Sequence, residues 1–162
     1  LGAKADASFT RESGVVCAVL TADCLPVILA CDDGEQVAVA HAGWRGLAAG
    51  VLEATVAVFD TLPSRLHAWL GPAISQSAFE VGEEVRQVYL QQSSEAARHF
   101  QENHHGRWQA DLYGLARQRL ECCGVRQISG GQHCTYDEVN RFFSYRRDGQ
   151  CGRMAAFVYR RP

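Results

Sequence analysis

The sequence of 162 residues lacks any apolar run near the roughly 18 residues that a membrane-spanning helix needs. It also lacks the apolar leader of a secreted protein. These two absences predict a cytoplasmic protein that does not engage a membrane. The first residue is Leu1, and the residues after it read like the middle of a chain, so we expect a natural N-terminal segment before them.

The sequence has no excess of positive charge, because its formal net charge is -2. Its clustered arginines come only in pairs, at 146 and 147 and at 160 and 161. A protein that binds nucleic acid through phosphate contacts usually carries a broad basic surface. We therefore expect a small-molecule substrate and no nucleic-acid partner.

No Cys-x-x-Cys pair occurs among the seven cysteines, which argues against a closed structural zinc finger. The count is odd, and several cysteines lie inside apolar stretches, unlike the even frameworks of small secreted proteins. The cysteines are therefore predicted to be reduced thiols.

Apolar periodicity predicts mixed α and β structure. Strands are predicted at residues 14–20, 26–31, 36–41, 66–70, 127–129 and 153–159, and helices at residues 47–59, 79–92 and 111–122. Several strands are apolar on both faces, which favours a sheet covered on both sides. With no linker and no internal repeat, the chain is predicted to be a single α/β (α+β) domain over residues 1–162, either a monomer or a homodimer.

Two residues with metal-binding chemistry lie at the ends of two predicted strands. Cys24 follows the strand at 14–20, and His41 ends the later strand at 36–41. If these strands pair, both side chains open at one sheet edge, where thiolate and imidazole are good zinc ligands. We predict catalytic and metal-binding roles for Cys24 and His41. The alternative is a buried cysteine and a hydrogen-bonded histidine without a ligand.

A glycine-rich turn, Gly43-Trp44-Arg45-Gly46, leads from His41 into a predicted helix. Glycine permits close approach of a ligand, helix amides favour an anion, and an arginine fork suits phosphate. We predict that Gly43, Arg45 and Gly46 bind phosphate or substrate and that Arg45 is also catalytic. The alternative is a plain strand-to-helix turn.

An aromatic and basic stretch near the C-terminus, residues 142–148, offers rings and guanidinium groups to a nucleoside or another aromatic ligand. From it we predict Arg147 as a substrate-binding residue. Core packing of the aromatic rings, with the arginines in solvent, is the alternative.

Five motifs in order resemble those of the bacterial YfiH-like family, also labelled multicopper polyphenol oxidase or laccase-domain proteins. They are Thr21-Ala22-Asp23-Cys24-Leu25-Pro26, His41-Ala42-Gly43-Trp44-Arg45-Gly46, Trp69-Leu70-Gly71-Pro72-Ala73-Ile74, Phe79-Glu80-Val81 and Phe143-Ser144-Tyr145-Arg146-Arg147-Asp148. The similarity extends from about Lys4 to Tyr159 and implies a fold like the catalytic domain of the cytotoxic necrotizing factor toxins. Its mixed sheet is layered with helices.

The resemblance also implies a zinc ion held by two histidines and a cysteine. Cys24 and His41 match two of these ligands by motif. The third is a histidine in a Gln-Val-His-Gly type motif upstream of the segment that here is Ala5-Asp6-Ala7, so we expect it before Leu1. Copper can displace zinc in a site with histidine and cysteine ligands.

Relatives in this family are described with several activities. The leading interpretation is a zinc-dependent purine nucleoside phosphorylase that acts on adenosine, inosine, guanosine and methylthioadenosine, with an adenosine deaminase activity. The alternatives are a laccase-like copper polyphenol oxidase and a cysteine or zinc hydrolase that edits peptidoglycan precursors. A non-catalytic binding module is disfavoured by the coincidence of a ligand pair and an anion loop.

Overall fold

A computed structural model describes residues 5–161, which form three β-sheets and five α-helices. The strands are β1 (Ala7–Thr10), β2 (Cys17–Thr21), β3 (Leu25–Cys31), β4 (Val37–Ala42), β5 (Leu66–Leu70), β6 (Glu80–Val81), β7 (Phe100–Glu102), β8 (Trp108–Ala110), β9 (Gln127–Gly130) and β10 (Met154–Val158). The helices are α1 (Trp44–Ala48), α2 (Val51–Ala57), α3 (Glu83–Leu90), α4 (Leu112–Cys122) and α5 (Tyr145–Asp148), with 3-10 turns at Pro63–Arg65 and Ser94–His99.

The central sheet has five strands in the order β1-β4-β3-β5-β9. Its neighbours are antiparallel except β5 and β9, which run parallel because α4 provides the crossover between them. β3 and β4 form a hairpin whose turn contains Gly34 at φ +74°. A glycine suits this position because side chains disfavour positive φ.

The two faces of the central sheet are covered differently. On one face, Leu25, Val27 and Leu29 are fully buried in the core that α1, α2 and α4 complete. On the other face, the two-stranded sheet of β2 and β10 lies against β3 and β4. The predicted cover on both sides is therefore confirmed for β3 and β4. It stops at β5, where Trp69 is 41% exposed.

The predicted helix at residues 47–59 is wrong as a single element. It is divided into α1 and α2 at Gly50, which adopts φ +90°. The predicted helix at 79–92 begins only at Glu83, because Glu80 and Val81 pair with β8 in a three-stranded sheet. The sequence prediction also omitted β1, which pairs with β4 at the sheet edge.

Within residues 5–161, no helix combines the length and the apolar character needed to cross a membrane.

Candidate active site

The β3–β4 hairpin brings Cys24 and His41 together. Its register places His41 opposite Pro26, two residues beyond Cys24. Both side chains approach the α-carbon of Gly43: a β-carbon built there would lie 2.8 Å from Cys24 Sγ and 3.6 Å from His41 Nε2. The thiol and the imidazole therefore converge on one point, as predicted, but they are brought there by the pairing of β3 with β4, since the strand before Cys24, β2, pairs with β10.

Gly43 and Gly46, predicted together as ligand-binding residues, occupy different environments. Any side chain at Gly43 would collide with Cys24 Sγ, so glycine there keeps the space beside the thiol and imidazole open. A β-carbon at Gly46 would face the His41 carbonyl oxygen at 3.3 Å and Asp6 Oδ2 at 3.8 Å. Gly46 thus lies against the backbone of β4, and the structure does not bring it to the cleft.

Asp6 fixes the orientation of His41. The backbone N–H of His41 donates to the Asp6 carbonyl at 2.6 Å, and His41 Nδ1 lies 3.3 Å from Asp6 Oδ1. A carboxylate on one ring nitrogen is the usual partner of a histidine that binds metal through the other nitrogen. Here the other nitrogen, Nε2, approaches the same position beside Gly43 that Cys24 Sγ approaches.

The electrostatic environment of Cys24 opposes a free thiolate. Burial raises the pKa of its thiol, and the negative charges of Asp23 and Asp6 add to that effect, whereas Arg153 and Arg45 act in the opposite direction. A nucleophilic cysteine usually has a lowered pKa. Cys24 is therefore better suited to ligate a cation, which stabilises the thiolate that it binds.

The described residues supply only some of the ligands that a zinc ion needs. Sulfur and imidazole nitrogen are typical zinc ligands, and their convergence beside Gly43 supplies two of them. Over residues 5–161 there is no group of three or more His, Cys, Asp and Glu side chains arranged to hold a metal. The third ligand that the family resemblance places before Leu1 lies outside the described residues.

Cys24 and His41 open into a cleft of about 470 Å³. Its charged and aromatic lining comprises Asp23, Trp44, Arg45, Phe79, Tyr145, Arg146 and Arg153. The guanidinium of Arg45 lies over the Trp44 ring, 4.4 Å from its centroid. Arg45 is therefore placed beside the Cys24 and His41 pair, as predicted.

The expected contribution of a helix dipole is not supported at this site. α1 contains only five residues, and its N-cap residue, Gly43, makes no side-chain capping bond. A macrodipole needs several aligned turns of peptide units. Attraction of an anion to this cleft must therefore come mainly from the arginine side chains.

Arg147, predicted to bind substrate, is not among the residues that line this cleft. Its guanidinium donates to the carbonyl oxygens of Thr135, Tyr136 and Phe142 and to both carboxylate oxygens of Asp148. All five N–H groups of the fork are engaged in these bonds. Its neighbour Arg146 lines the cleft instead.

A second polar cluster, here called the Asp23 node, adjoins the cleft and was not predicted. Asp23 is buried, and its carboxylate accepts hydrogen bonds from Thr135 Oγ1 at 2.6 Å, Ser144 Oγ at 3.0 Å and the Arg146 backbone N–H at 2.7 Å. Arg147 extends the node through its bond to the Thr135 carbonyl.

Asp23 also has φ +83°, the one positive value among non-glycine residues in the described part of the chain. Such a conformation persists where the surroundings enforce it. The node thus holds the turn that presents Cys24.

The fold agrees with the comparisons to known proteins. The chain belongs to the family described as multi-copper polyphenol oxidoreductase laccase, whose sequence profile matches residues 2–161. The family membership and the mixed α/β fold predicted from the motifs are thereby confirmed. An Escherichia coli K12 protein named purine nucleoside phosphorylase YfiH is 54% identical over 156 residues, which are 96% of this chain and 64% of that protein.

A Pseudomonas aeruginosa protein named purine nucleoside phosphorylase is 49% identical over 157 residues, 96% of this chain and 65% of its own length. The crystal structure of a Neisseria meningitidis protein matches with a TM-score of 0.95 at 50% identity, covering 98% of this chain and 65% of that one. YlmD from Geobacillus stearothermophilus matches with a TM-score of 0.87 at 32% identity, covering 97% and 61%. This chain therefore spans slightly less than two thirds of these relatives.

Proposed function

We propose that the protein is a zinc-dependent purine nucleoside phosphorylase. The observation that carries the proposal is the convergence of Cys24 Sγ and His41 Nε2 in a cleft that also contains the guanidinium of Arg45. The names of the bacterial relatives support the same reaction class. The proposed substrates are adenosine, inosine, guanosine and methylthioadenosine.

In the proposed reaction, an oxygen of hydrogen phosphate forms a bond to C1′ of the ribose, and the bond from C1′ to the purine nitrogen breaks. The base leaves with the bonding electrons, and the phosphate proton ends on it. Arg45 binds the phosphate and orients it toward C1′. A guanidinium suits this role because its planar fork pairs with two phosphate oxygens.

Cys24 and His41 would hold the zinc ion, with Asp6 orienting the His41 ring. When bound, zinc supplies Lewis-acid polarisation of a substrate oxygen or of water. Activation of water would also account for the proposed adenosine deaminase activity, since deamination is a hydrolysis at the purine ring.

The purine is proposed to stack on Tyr145. Its ring lines the cleft and is 60% exposed. Stacking on an aromatic side chain recognises any purine by its flat face. This contact fits a preference for purine nucleosides as a class.

A copper polyphenol oxidase is the second candidate, and the family description favours it. A multicopper centre uses several histidines, whereas His41 alone of the six histidines lines the cleft. The third candidate is a hydrolase, with Cys24 as nucleophile or with bound zinc, that edits peptidoglycan precursors. The raised pKa of the Cys24 thiol disfavours its nucleophilic version.

The test incubates zinc-loaded protein with adenosine, with and without phosphate, and separates adenine, ribose 1-phosphate and inosine by chromatography. Phosphate-dependent release of adenine is expected, with loss of release in His41→Ala and Arg45→Ala. His67→Ala is the matched control, because His67 is exposed on β5 outside the cleft. Adenine release that does not depend on phosphate, or that persists in both His41→Ala and Arg45→Ala, would refute the proposal.

A further inference from the structure

Three arginines line the cleft, and their charges are not neutralised by ion pairs. Over residues 5–161, Arg45, Arg146 and Arg153 have no carboxylate within salt-bridge distance, whereas Arg65, Arg119 and Arg141 outside the cleft each pair with at least one. A group of guanidinium ions without counter-ions in one cleft is suited to bind an anion.

The one carboxylate that lines the cleft does little to occupy these arginines. Asp23 accepts its hydrogen bonds from Thr135, Ser144 and the backbone of Arg146. None of these donors is a guanidinium group. The three arginine side chains therefore give the cleft a positive balance.

Arg153 is held in a fixed position with part of its fork free. Its Nη1 donates to the carbonyl oxygens of Cys151 at 2.9 Å and Gly152 at 3.0 Å. Within the described residues, its Nε and Nη2 make no hydrogen bond. The loop before it lies against Phe143, since a β-carbon at Gly152 would come within 2.7 Å of that ring. This anchoring reduces the entropy that Arg153 loses on binding a ligand.

Arg146 is less suited to the same task. Its Nη1 donates to the Glu80 carbonyl on β6 at 2.9 Å, whereas Arg153 bonds only to carbonyl oxygens of its own loop. A neighbouring aromatic ring does not distinguish the two, because Arg146 lies 5.5 Å from the centre of the Phe79 ring and Arg153 lies 5.9 Å from that of Tyr145. Arg45 and Arg153 line the same cleft as Cys24 and His41. They approach the metal-binding pair from different elements, Arg45 from α1 and Arg153 from the loop before β10.

We propose that Arg153 and Arg45 together form a two-sided clamp for inorganic phosphate, with Arg153 in the substrate-binding role that the sequence suggested for Arg147. The clamp rests on the proposed function for its ligand, because a phosphorylase must hold phosphate beside the sugar. Two guanidinium groups from separate elements surround a tetrahedral oxyanion better than one.

The test measures binding of inorganic phosphate to the whole chain by isothermal titration calorimetry. Arg153→Gln removes the charge, Arg153→Lys keeps the charge without the fork, and Arg45→Gln removes the opposite side. Arg126→Gln is the matched control, because Arg126 is exposed, lies outside the cleft and has no carboxylate partner in the described structure.

We expect Arg153→Gln and Arg45→Gln each to weaken binding about tenfold or more. Arg153→Lys should give a smaller loss, and Arg126→Gln none.

Native affinity for phosphate in Arg153→Gln would overturn the clamp, as would absence of phosphate binding by the native protein. The adenosine assay separates this failure from that of the proposed function. If Arg153→Gln still releases adenine in a phosphate-dependent reaction and its KM for phosphate is unchanged, the clamp is refuted. The proposed phosphorylase activity is then retained. Phosphate binding that depends on Arg153 without any adenine release would support the clamp and refute the phosphorylase.

Discussion

The cleft and the Asp23 node lie next to each other but differ in whether their polar groups have hydrogen-bond and ion-pair partners within the protein. In the node, the Asp23 carboxylate accepts three hydrogen bonds and Arg147 uses its whole fork. In the cleft, Arg45 and Arg153 have no carboxylate partner within the described structure. Satisfied groups stabilise a fold, whereas groups left without partners are available to a ligand. We therefore expect substitutions in the node to reduce stability and substitutions in the cleft to reduce binding.

The largest effect is expected from Asp23→Ala. The change leaves Thr135, Ser144 and the Arg146 N–H without their buried acceptor and places alanine at a positive φ. We expect the free energy of unfolding to fall by about 3 kcal/mol, measured by urea denaturation. Asp137→Ala, an exposed aspartate in the same loop region, is the control. Equal stability of the two variants would contradict a structural role for the node.

The next effect is expected in the cleft, from Gly43→Ala. The added methyl group would lie 2.8 Å from Cys24 Sγ, so the thiol must leave the position in which it converges with His41. We expect zinc affinity to fall about tenfold or more, as for other changes next to metal ligands. Competition with a zinc-binding dye measures it, while the urea midpoint should change little.

Gly46→Ala is the matched change for this experiment, since its methyl group would face the backbone of His41. Because that contact of 3.3 Å crowds a backbone oxygen and not the thiol, Gly46→Ala should lose less zinc affinity than Gly43→Ala. Equal zinc affinity in native protein and Gly43→Ala would show that the open space beside Cys24 is not needed for the metal.

A smaller effect concerns Tyr113, which links to the node through Ala73. Its hydroxyl accepts from the Ala73 N–H at 2.7 Å and donates to the His133 carbonyl at 2.8 Å, and the Ala73 carbonyl accepts from the Thr135 N–H. Tyr113→Phe should lower the free energy of unfolding by about 1 kcal/mol at neutral pH.

Tyr113 also predicts a pH dependence. Burial raises the pKa of its hydroxyl to about 12. The unfolded chain, with a tyrosine pKa of about 10, loses this proton first, so stability falls as the pH rises from about 10 to about 12. Tyr113→Phe should make that alkaline fall shallower in urea titrations at several pH values. Part of the alkaline loss of stability should remain in Tyr113→Phe, because burial raises the pKa of Tyr89 as well. An unchanged slope would contradict the assignment to Tyr113.

The sequence predicted the cleft better than the node, and the reason is sequence separation. Cys24 and His41 belong to one hairpin, so strand register alone brings them together. Asp23, in contrast, bonds to Thr135 and Ser144, which are 112 and 121 residues further along the chain. No local sequence pattern predicts such a contact. The break at Gly50 was missed for a related reason, since apolar spacing continues across it.

Arg146 and Arg147 also show that local sequence does not reveal long-range contacts. They are adjacent in α5, a helix of four residues, and only the long-range contacts decide which one faces the cleft. Arg147 has a dense set of carbonyl oxygens beside it, and Arg146 does not. The sequence prediction chose Arg147, and no local pattern distinguishes it from Arg146.

The smallest effect, and the one that separates the two regions most directly, is expected from Arg147→Lys. Lysine keeps the charge but cannot reproduce the planar fork that reaches Asp148 and three carbonyl oxygens. The urea midpoint should fall modestly, while the affinity for inorganic phosphate should stay native. Arg153→Lys should show the reverse, with native stability and weaker phosphate binding. If Arg147→Lys instead weakened phosphate binding without loss of stability, Arg147 would be part of the ligand site, and the division between node and cleft would fail.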